Sequence, residues 1–265
     1  MADSKIILIT GANTGIGFEV VKALYSADKP YTVLVGSRTA SKAQDAISAI
    51  QTEFPSSTNQ LVPLVVDIES DESIQKAHDE VASKFGKLDA LVNNAGAQFD
   101  RDITSGALTE REAWNKAWNV NTAGTQVTTT TFTPLLLKSG DPRILFVTSG
   151  ASSLNNTVHR KLRMDHSPDA GWPKTGISVT SYRSAKTGLN MLMREWDRLL
   201  KNDGVKVWAV SPGLLATGLG GSVQAMKAMG AEDASVAGPF FRAILEGERD
   251  GDVGRVVTRA GVQEW

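Results

Sequence analysis

Short apolar runs alternate with longer stretches of helical periodicity along this chain of 265 residues. The first run covers residues 5–10 and carries four aliphatic side chains in succession, a pattern typical of a strand buried on both faces. Residues 16–27 then place apolar side chains at helical spacing. The same alternation predicts further strands at 31–35, 61–66, 88–92, 143–147, 205–210 and 251–257, and helices at 41–54, 71–85, 111–137 (one long helix or two abutting ones) and 181–201.

The order of these elements predicts the architecture. Strands that alternate with helices of about 10–20 residues form βαβ units and pair in parallel. Because such crossovers are right-handed, we expect a doubly wound α/β sheet of Rossmann type, with six to seven strands and helices on both faces. Residues 1–265 are expected to form a single domain, whose ligand site lies at the carboxyl ends of the strands.

One segment departs from this pattern, at residues 154–180. It is rich in Asn, Lys, Arg, Asp, Pro and Gly, and it separates a predicted strand from the next predicted helix. A connection of this length inside a compact domain is usually functional or mobile. We interpret it as an insertion into the domain rather than as a boundary between two domains.

The composition excludes several classes of function. The chain has 28 basic and 29 acidic side chains, and this balance predicts binding neither to nucleic acid nor to an anionic membrane. It contains no cysteine, which excludes disulfides and thiolate chemistry, and its three histidines lack metal-ligand spacing. No stretch has the ~18 apolar residues of a membrane helix, and the first residues lack the pattern of a signal peptide. We therefore expect a cytoplasmic protein without a metal site.

A glycine-rich turn connects the first predicted strand to the first helix. Its sequence at residues 10–17, Thr-Gly-Ala-Asn-Thr-Gly-Ile-Gly, suits a bound pyrophosphate. Glycine permits the sharp turn and the close backbone approach, and the helix N-terminus offers free N–H groups. A tight turn without a ligand is the alternative interpretation. The residues predicted to bind a dinucleotide here are Gly11, Asn13, Thr14, Gly15, Ile16 and Gly17.

Five more motifs follow in order along the chain. They are Asn93-Asn94-Ala95-Gly96, Asn121-Thr122-Ala123-Gly124, Ser149, Tyr182-Arg183-Ser184-Ala185-Lys186 and Pro212-Gly213-Leu214-Leu215-Ala216-Thr217. Together with the glycine-rich turn they resemble, in order and over nearly the whole chain, the motifs of the short-chain dehydrogenase/reductase family. The carboxy-terminal half is similar to fungal members of this family.

The chemistry of Tyr182 and Lys186 can be argued without the resemblance. The two residues are four positions apart, so on a helix they share one face. A tyrosine has an ordinary pKa of about 10, and a cationic lysine beside it is expected to lower that pKa toward neutrality. Tyr182 would then exchange a proton with a substrate oxygen, and Ser149 would stabilise that oxygen by a hydrogen bond. An exposed helical pair without a catalytic role is the alternative.

The resemblance implies roles for the remaining motif residues. Lys186 would also hold the nicotinamide ribose, and Asn121 would anchor a water molecule in a proton relay. Asp67 and Ile68, after the third strand, match the family's adenine contact. The other residues that the resemblance assigns to the cofactor are Asn94, Ala95 and Gly96 at the centre of the sheet, and Pro212, Gly213, Leu215 and Thr217 beside the nicotinamide half.

The second predicted strand indicates which cofactor is preferred. NAD-binding proteins place a carboxylate near this point to bind the ribose 2′-hydroxyl, but the first carboxylate here is Asp45. Arg38 instead offers a permanently charged, planar group that suits a 2′-phosphate, and Ser37 and Asn13 could add hydrogen bonds. We therefore predict NADP(H). A solvated arginine at a strand end is the alternative interpretation of Arg38.

The spacing between Ser149 and Tyr182 exceeds that of most family members by ~20 residues, which is the length of the insertion. Since the insertion joins two predicted catalytic residues, it must lie beside the site. It would be either a lid that shapes the substrate site, through His159, Met164 and Trp172, or a solvated surface loop. Asp165 and His166, within it, are expected to form an exposed pair, with contact to the substrate as the alternative.

These observations favour an NADPH-dependent reductase that converts a small-molecule ketone or aldehyde to an alcohol, with Tyr182 as general acid. The reverse reaction would make it an alcohol dehydrogenase. A reductase or cyclase acting on an imine or a C=C bond in specialised-metabolite biosynthesis, and a non-catalytic NADP-sensing protein, are the alternatives. Many relatives pair their long helices, so the resemblance also leaves a homodimer or a homotetramer open.

Overall fold

A computed structural model describes residues 4–174 and 178–265 of the chain; residues 175–177, at the end of the predicted insertion, lie outside the described residues. The strands are β1 (Lys5–Ile9), β2 (Tyr31–Ser37), β3 (Gln60–Val65), β4 (Ala90–Asn93), β5 (Arg143–Val147), β6 (Lys206–Val210), β7 (Leu215–Ala216), β8 (Glu232–Asp233), β9 (Val256–Thr258) and β10 (Gly261–Gln263). The helices are α1 (Gly15–Tyr25), α2 (Ala40–Glu53), α3 (Asp71–Phe85), α4 (Asp100–Thr104), α5 (Glu110–Trp118), α6 (Thr125–Leu136), α7 (Leu154–Val158), α8 (Thr180–Leu200), α9 (Val223–Ala228) and α10 (Ala237–Leu245).

Eight of the strands form one sheet in the order β3-β2-β1-β4-β5-β6-β9-β10. The pairs from β3 to β9 are parallel, and β10 pairs antiparallel with β9. The predicted Rossmann-type fold is therefore confirmed, with eight strands rather than six to seven. The predicted last strand at 251–257 begins too early, because a 3₁₀ turn occupies Asp250–Asp252 and a hairpin then adds β10. Both hairpin strands have three residues, too few for a periodic signal.

The four consecutive aliphatic residues of β1 pack into two separate core layers. Ile7 and Ile9 join α1, α2 and α10 on one face of the sheet, whereas Ile6 and Leu8 join α3, α6 and α8 on the other. Successive side chains of a strand point to opposite faces, so a run without polar residues requires apolar partners on both. Each such side chain contributes about 1.5–3 kcal/mol on burial, which fixes β1 at the centre of the sheet.

The stretch predicted as a long helix at 111–137 is helical throughout but not uniform. Between α5 and α6 it passes through a π-helical segment, Asn119–Gly124, whose turns are wider than those of an α-helix. Gly124 ends this segment directly against Ile68, where a Cβ would collide with the Ile68 carbonyl oxygen. The segment contains Asn121, and single π turns of this kind are frequent at functional sites.

Within the described ranges, no helix combines the length and the apolar character that a membrane span requires. The same ranges hold no group of three or more His, Asp or Glu side chains arranged to bind a metal ion.

Candidate active site

The candidate site lies where the strand order reverses direction, between β1 and β4. In a doubly wound sheet, the loops that leave two such strands diverge to opposite faces and leave a crevice at the carboxyl edge. Here these loops are the glycine-rich turn after β1 and the Asn94-Ala95-Gly96 segment after β4.

The glycine-rich turn has the geometry that its sequence predicts. Gly11 has a φ of 62°, and a Cβ at this position would lie 2.9 Å from Cα of Ala95. A Cβ on Gly17 would lie 2.5 Å from Nδ2 of Asn94, so a larger residue would separate the two loops. Thr14 begins α1 without capping it by its side chain, and the first amides of α1 are therefore available to an anion.

Thr10 joins the two loops, a role that the sequence analysis missed. Its hydroxyl accepts hydrogen bonds from the amides of Asn94 (3.1 Å) and Ala95 (3.0 Å). In return, Nδ2 of Asn94 donates to the carbonyl oxygens of Thr10 (2.8 Å) and Gly11 (3.0 Å). The predicted residue Asn94 thus stabilises the glycine-rich turn through its side-chain amide. The signal was present, because a hydroxyl residue directly precedes the first glycine.

The predicted adenosine-side residues follow the next two strands. Ser37 ends β2, is 1% exposed, and its hydroxyl has no hydrogen-bond partner in the described part of the chain. Arg38 beside it is exposed and forms no ion pair there. Asp67 follows β3 and accepts a hydrogen bond from the amide of Glu69 (3.1 Å), while Ile68 is buried against Gly124.

The segment after β6 approaches the glycine-rich turn from the other side. Gly213 has a φ of 105°, which favours glycine, and Arg259 donates to the carbonyl oxygen of Pro212 (3.2 Å). Leu215 is buried in the short strand β7. Thr217 lies 3.5 Å from the position that a Cβ on Gly15 would take. The structure therefore brings this predicted segment to the predicted phosphate loop.

The four predicted catalytic residues lie together at the carboxyl ends of β4 and β5. Tyr182 and Lys186 lie one turn apart in α8, and the Lys186 ammonium lies 5.9 Å from the centroid of the Tyr182 ring. The Tyr182 hydroxyl is hydrogen-bonded to Ser149. A Cβ on Gly96 would lie 2.8 Å from Oδ1 of Asn121 and 3.2 Å from Nζ of Lys186, so Gly96 leaves the space that these polar atoms occupy.

Asn121 is fully buried in the π-helical segment and fixes the loop after β4. Its Nδ2 donates to the carbonyl oxygens of Ala97 and Ala117, both at 2.8 Å. Its Oδ1 accepts a hydrogen bond from the amide of Ala97 at 3.2 Å. Since Ala97 immediately follows Gly96, Asn121 determines where the backbone passes beside Lys186.

The electrostatics of the pair differ from the expectation. Burial raises the pKa of Tyr182 to about 12, although the hydrogen bond to Ser149 works in the opposite direction. The predicted lowering of this pKa is therefore wrong for the protein alone. The physical reason is that Lys186 donates to the carbonyl oxygen of Val147 (2.8 Å) rather than to the phenol, while burial lowers its own pKa to about 8. Tyr182 is thus a neutral proton donor at physiological pH.

A sequence model described as short chain dehydrogenase matches residues 5–160 and 169–228, well over half of the chain. The chain belongs to the short-chain dehydrogenase/reductase family. The match omits residues 161–168, which lie within the predicted insertion.

The relatives come from fungi and from animals. A short-chain dehydrogenase/reductase of Phoma sp., eupG, is 47% identical over 270 residues, covering 98% of this chain and 97% of the relative. The carbonyl reductase [NADPH] 1 of Sus scrofa is 27% identical, covering 100% of this chain and 95% of the relative. Among solved structures, the NADPH-bound carbonyl reductase from chicken fatty liver has the same fold, with a TM-score of 0.75, 23% identity and 99% of each chain covered.

The segment predicted as an insertion is fixed to helix α8 by one arginine. Arg183, next to Tyr182, donates to the side chain of Asp165 (2.6 Å), to Thr157 Oγ1 (3.1 Å) and to the carbonyl oxygen of Ala151 (3.0 Å). The Asp165 side chain is 0% exposed. The expectation of an exposed Asp165–His166 pair is therefore wrong for Asp165, because its partner lies 18 positions away and outside the loop.

Two further sets of residues support the dehydrogenase site and were not predicted. Asp100, 3% exposed, accepts hydrogen bonds from the amides of Ser181 (2.8 Å) and Tyr182 (3.2 Å). Behind Ser149, the Thr148 hydroxyl donates to Oδ1 of Asn190 (2.6 Å), whose Nδ2 donates to Ser152 (2.9 Å). These contacts join positions 38 to 82 residues apart, and no local pattern marks such pairs.

A separate groove of about 760 Å³ lies on the outer surface of α5, the π-helical segment and α8. Its lining includes Trp118, Thr122 and Leu192 but none of the predicted site residues. The groove lies on the long helices through which the sequence analysis leaves pairing open, and pairing of this chain stays a prediction.

Proposed function

We propose that this chain is an NADPH-dependent reductase of ketones or aldehydes. The observation that supports this most directly is the neutral Tyr182 phenol, which is hydrogen-bonded to Ser149 at the crevice of the sheet. A protonated phenol can donate a proton, as reduction of a carbonyl group requires, and the nearby Lys186 ammonium favours the phenolate that remains.

The residues around β2 fit NADP(H) better than NAD(H). Ser37 has a buried hydroxyl without a partner, and Arg38 presents a guanidinium group that no carboxylate in the described chain neutralises. A 2′-phosphate would supply acceptors to both groups, whereas a 2′-hydroxyl would leave the charge of Arg38 unpaired. Two of the proteins that this chain resembles are named for NADPH or were solved with it bound.

The proposed reaction uses few groups of the protein. NADPH, when bound along the glycine-rich turn, supplies the hydride. Tyr182 and Ser149 donate hydrogen bonds to the substrate oxygen, and Tyr182 transfers its proton as negative charge develops there. One hydride and one proton thus convert the carbonyl to an alcohol. The Lys186 ammonium stabilises the phenolate that remains, and Asn121 holds the loop beside it.

We further propose that the insertion forms one wall of the substrate site. It begins at α7, directly after the 3₁₀ turn Gly150–Ser152 that follows Ser149, and Arg183 holds it against α8. Four of its apolar side chains are largely exposed: Leu154 is 63%, Val158 76%, Met164 44% and Trp172 88% exposed. An apolar surface of this kind beside a reductase site favours bulky, weakly polar ketones.

The proposal is tested by NADPH oxidation with a panel of aromatic, bicyclic and aliphatic ketones, with imines as a parallel panel. Tyr182→Phe is expected to lower kcat by about 10²–10⁴-fold, because the general acid is lost. Binding of NADPH, followed by its fluorescence, should change by less than about twofold, since Phe retains the ring.

Two results would count against the proposal. Undiminished ketone turnover by the Tyr182→Phe protein would remove the acid role, and turnover of imines alone would assign the site to C=N reduction. Ser149→Ala serves as the companion variant and should lower kcat by a smaller factor, because it removes a hydrogen bond and leaves the proton donor.

A further inference from the structure

The catalytic helix α8 has no cap of its own. Its N-cap residue is Val179, whose side chain cannot accept a hydrogen bond. The first N–H groups of a helix have no partner within the helix, and leaving them buried and unpaired is unfavourable. The amides of Ser181 and Tyr182 are in this position, and Ser181 is fully buried.

Asp100, the first residue of α4, supplies the missing cap. Its Oδ1 accepts from the amide of Ser181 at 2.8 Å and its Oδ2 from the amide of Tyr182 at 3.2 Å. Asp100 is 3% exposed, and in the described ranges no lysine or arginine forms an ion pair with it. The two amides of α8 therefore provide the hydrogen-bond donors that this buried side chain needs.

We propose that Asp100 is a positioning residue for catalysis, which acts by fixing the backbone of Tyr182. The inference deepens the proposed function and rests on it for its kinetic readout. Asp100 begins α4, a few residues beyond the Asn94-Ala95-Gly96 segment, so it ties the loop nearest the cofactor to the helix that carries the acid. A hydrogen bond to the backbone amide of Tyr182 fixes the position of its Cα, from which the side chain extends.

The test compares Asp100→Ala and Asp100→Asn with the matched variant Ser181→Ala. The Ser181 hydroxyl has no hydrogen-bond partner in the described chain, so its loss leaves the cap intact. Asp100→Ala should lower kcat by about 10–100-fold at nearly constant NADPH affinity, because the Tyr182 side chain is displaced while the glycine-rich turn is unchanged. The kcat of Asp100→Asn should lie between that of Asp100→Ala and that of the unaltered protein, because the side-chain oxygen of Asn can accept only one of the two hydrogen bonds from α8. Ser181→Ala should keep its kcat within about twofold.

Amide hydrogen exchange gives a second readout that needs no turnover. The amides of Ser181 and Tyr182 should both exchange at least about tenfold faster in Asp100→Ala, only one of them should do so in Asp100→Asn, and both should be unchanged in Ser181→Ala. If the amides exchanged faster in the Asp100 variants but the unaltered protein reduced no ketone, the cap would be supported and the proposed function would be rejected. A kcat within twofold in the Asp100→Ala protein, together with faster exchange, would overturn the positioning role, as would unchanged exchange in that variant.

Discussion

At the scale of single residues, the buried charge of Lys186 lowers the stability of the folded protein. The side chain is 4% exposed and its ammonium has one hydrogen-bond partner in the described chain, the Val147 carbonyl oxygen. Burial lowers its pKa to about 8 from an ordinary 10.5, which corresponds to about 3 kcal/mol of unfavourable desolvation. The protein keeps this charge although an apolar side chain would be more stable, as expected where function and stability compete.

Lys186→Met is therefore expected to stabilise the fold at pH 7 by up to about 3 kcal/mol and to abolish ketone reduction. The lysine binds a proton more weakly in the folded state than in the unfolded state. Its penalty is thus complete below pH 8 and disappears as the pH rises from about 8 to 10.5. Urea denaturation at pH 7 and at pH 10 measures both effects. An advantage of the variant that is equal at the two pH values would contradict the assignment.

The predicted preference for NADPH over NADH rests on Arg38 and Ser37. Arg38→Asp should weaken NADPH binding by about 10–100-fold, because a charge-assisted contact is replaced by repulsion, and should leave NADH binding unchanged or stronger. Fluorescence titration with both nucleotides measures the ratio. Lys42→Gln, which removes another exposed cation four positions along, is the control for a general loss of charge and should preserve the preference. Equal losses for both nucleotides would remove the specific role of Arg38.

At the scale of elements, local patterns identified most of what the sheet and the site require. The strands that are buried on both faces and the helix with Tyr182 and Lys186 all lie where apolar periodicity places them. The hairpin β9–β10 was missed because each strand has three residues. Asp100 and Arg183 were missed because a single charged residue has no periodicity, and their partners are set by tertiary contacts.

The insertion gives the prediction at this scale. Burial acts to raise the pKa of Asp165, but hydrogen bonds from Arg183 and the Leu162 amide outweigh it and hold that pKa below its usual range. Asp165→Asn should therefore release the segment, and trypsin should cut it at least about tenfold faster at the exposed Lys161. The KM for bulky ketones should rise more than that for small ones.

Asp169→Asn is the matched control, because it removes an exposed carboxylate from the same insertion. It should leave proteolysis and both KM values unchanged. NADPH affinity should be the same in all three proteins. If Asp165→Asn left the relative KM values unaltered although cleavage was faster, the insertion would be a passive surface loop.

At the scale of the whole molecule, the sheet has a charged edge opposite the edge that holds the candidate site. At the amino ends of β5 and β6, the Arg143 guanidinium, 4% exposed, pairs with Asp141 (3.0 Å) and Asp250 (2.6 Å), and Lys206 contacts the same two carboxylates. Burial opposes the ionisation of both acids, but their basic partners outweigh it and lower both pKa values. Charge balance in the sequence could not reveal this cluster, because only the parallel register brings its members together.

This cluster predicts acid sensitivity. A carboxylate whose pKa is lowered on folding adds stability that is complete above its ordinary pKa of about 4 and is lost as the pH falls toward the folded value. The thermal midpoint should therefore fall below pH 4. Asp250→Asn should cost about 1–2 kcal/mol at pH 7, since Arg143 loses a partner while remaining buried. The difference should narrow as the pH falls below the ordinary carboxyl pKa of about 4; a constant difference would contradict the assignment.

The π-helical segment Asn119–Gly124 also determines which way the residues after it face around the helix axis. Each residue of an α-helix advances it by about 100°, and the wide turn holds one residue more than an α-helical turn, so the helix regains its phase beyond it. Thr128 and Phe132, both fully buried, therefore keep their place in the core. The wide turn lets one continuous helix satisfy two independent angular requirements, that of Asn121 toward the loop after β4 and that of α6 toward the sheet. A single-residue deletion inside this segment should therefore displace Asn121 more than it disturbs α6, whereas the same deletion inside α6 would rotate the residues after it by about 100°.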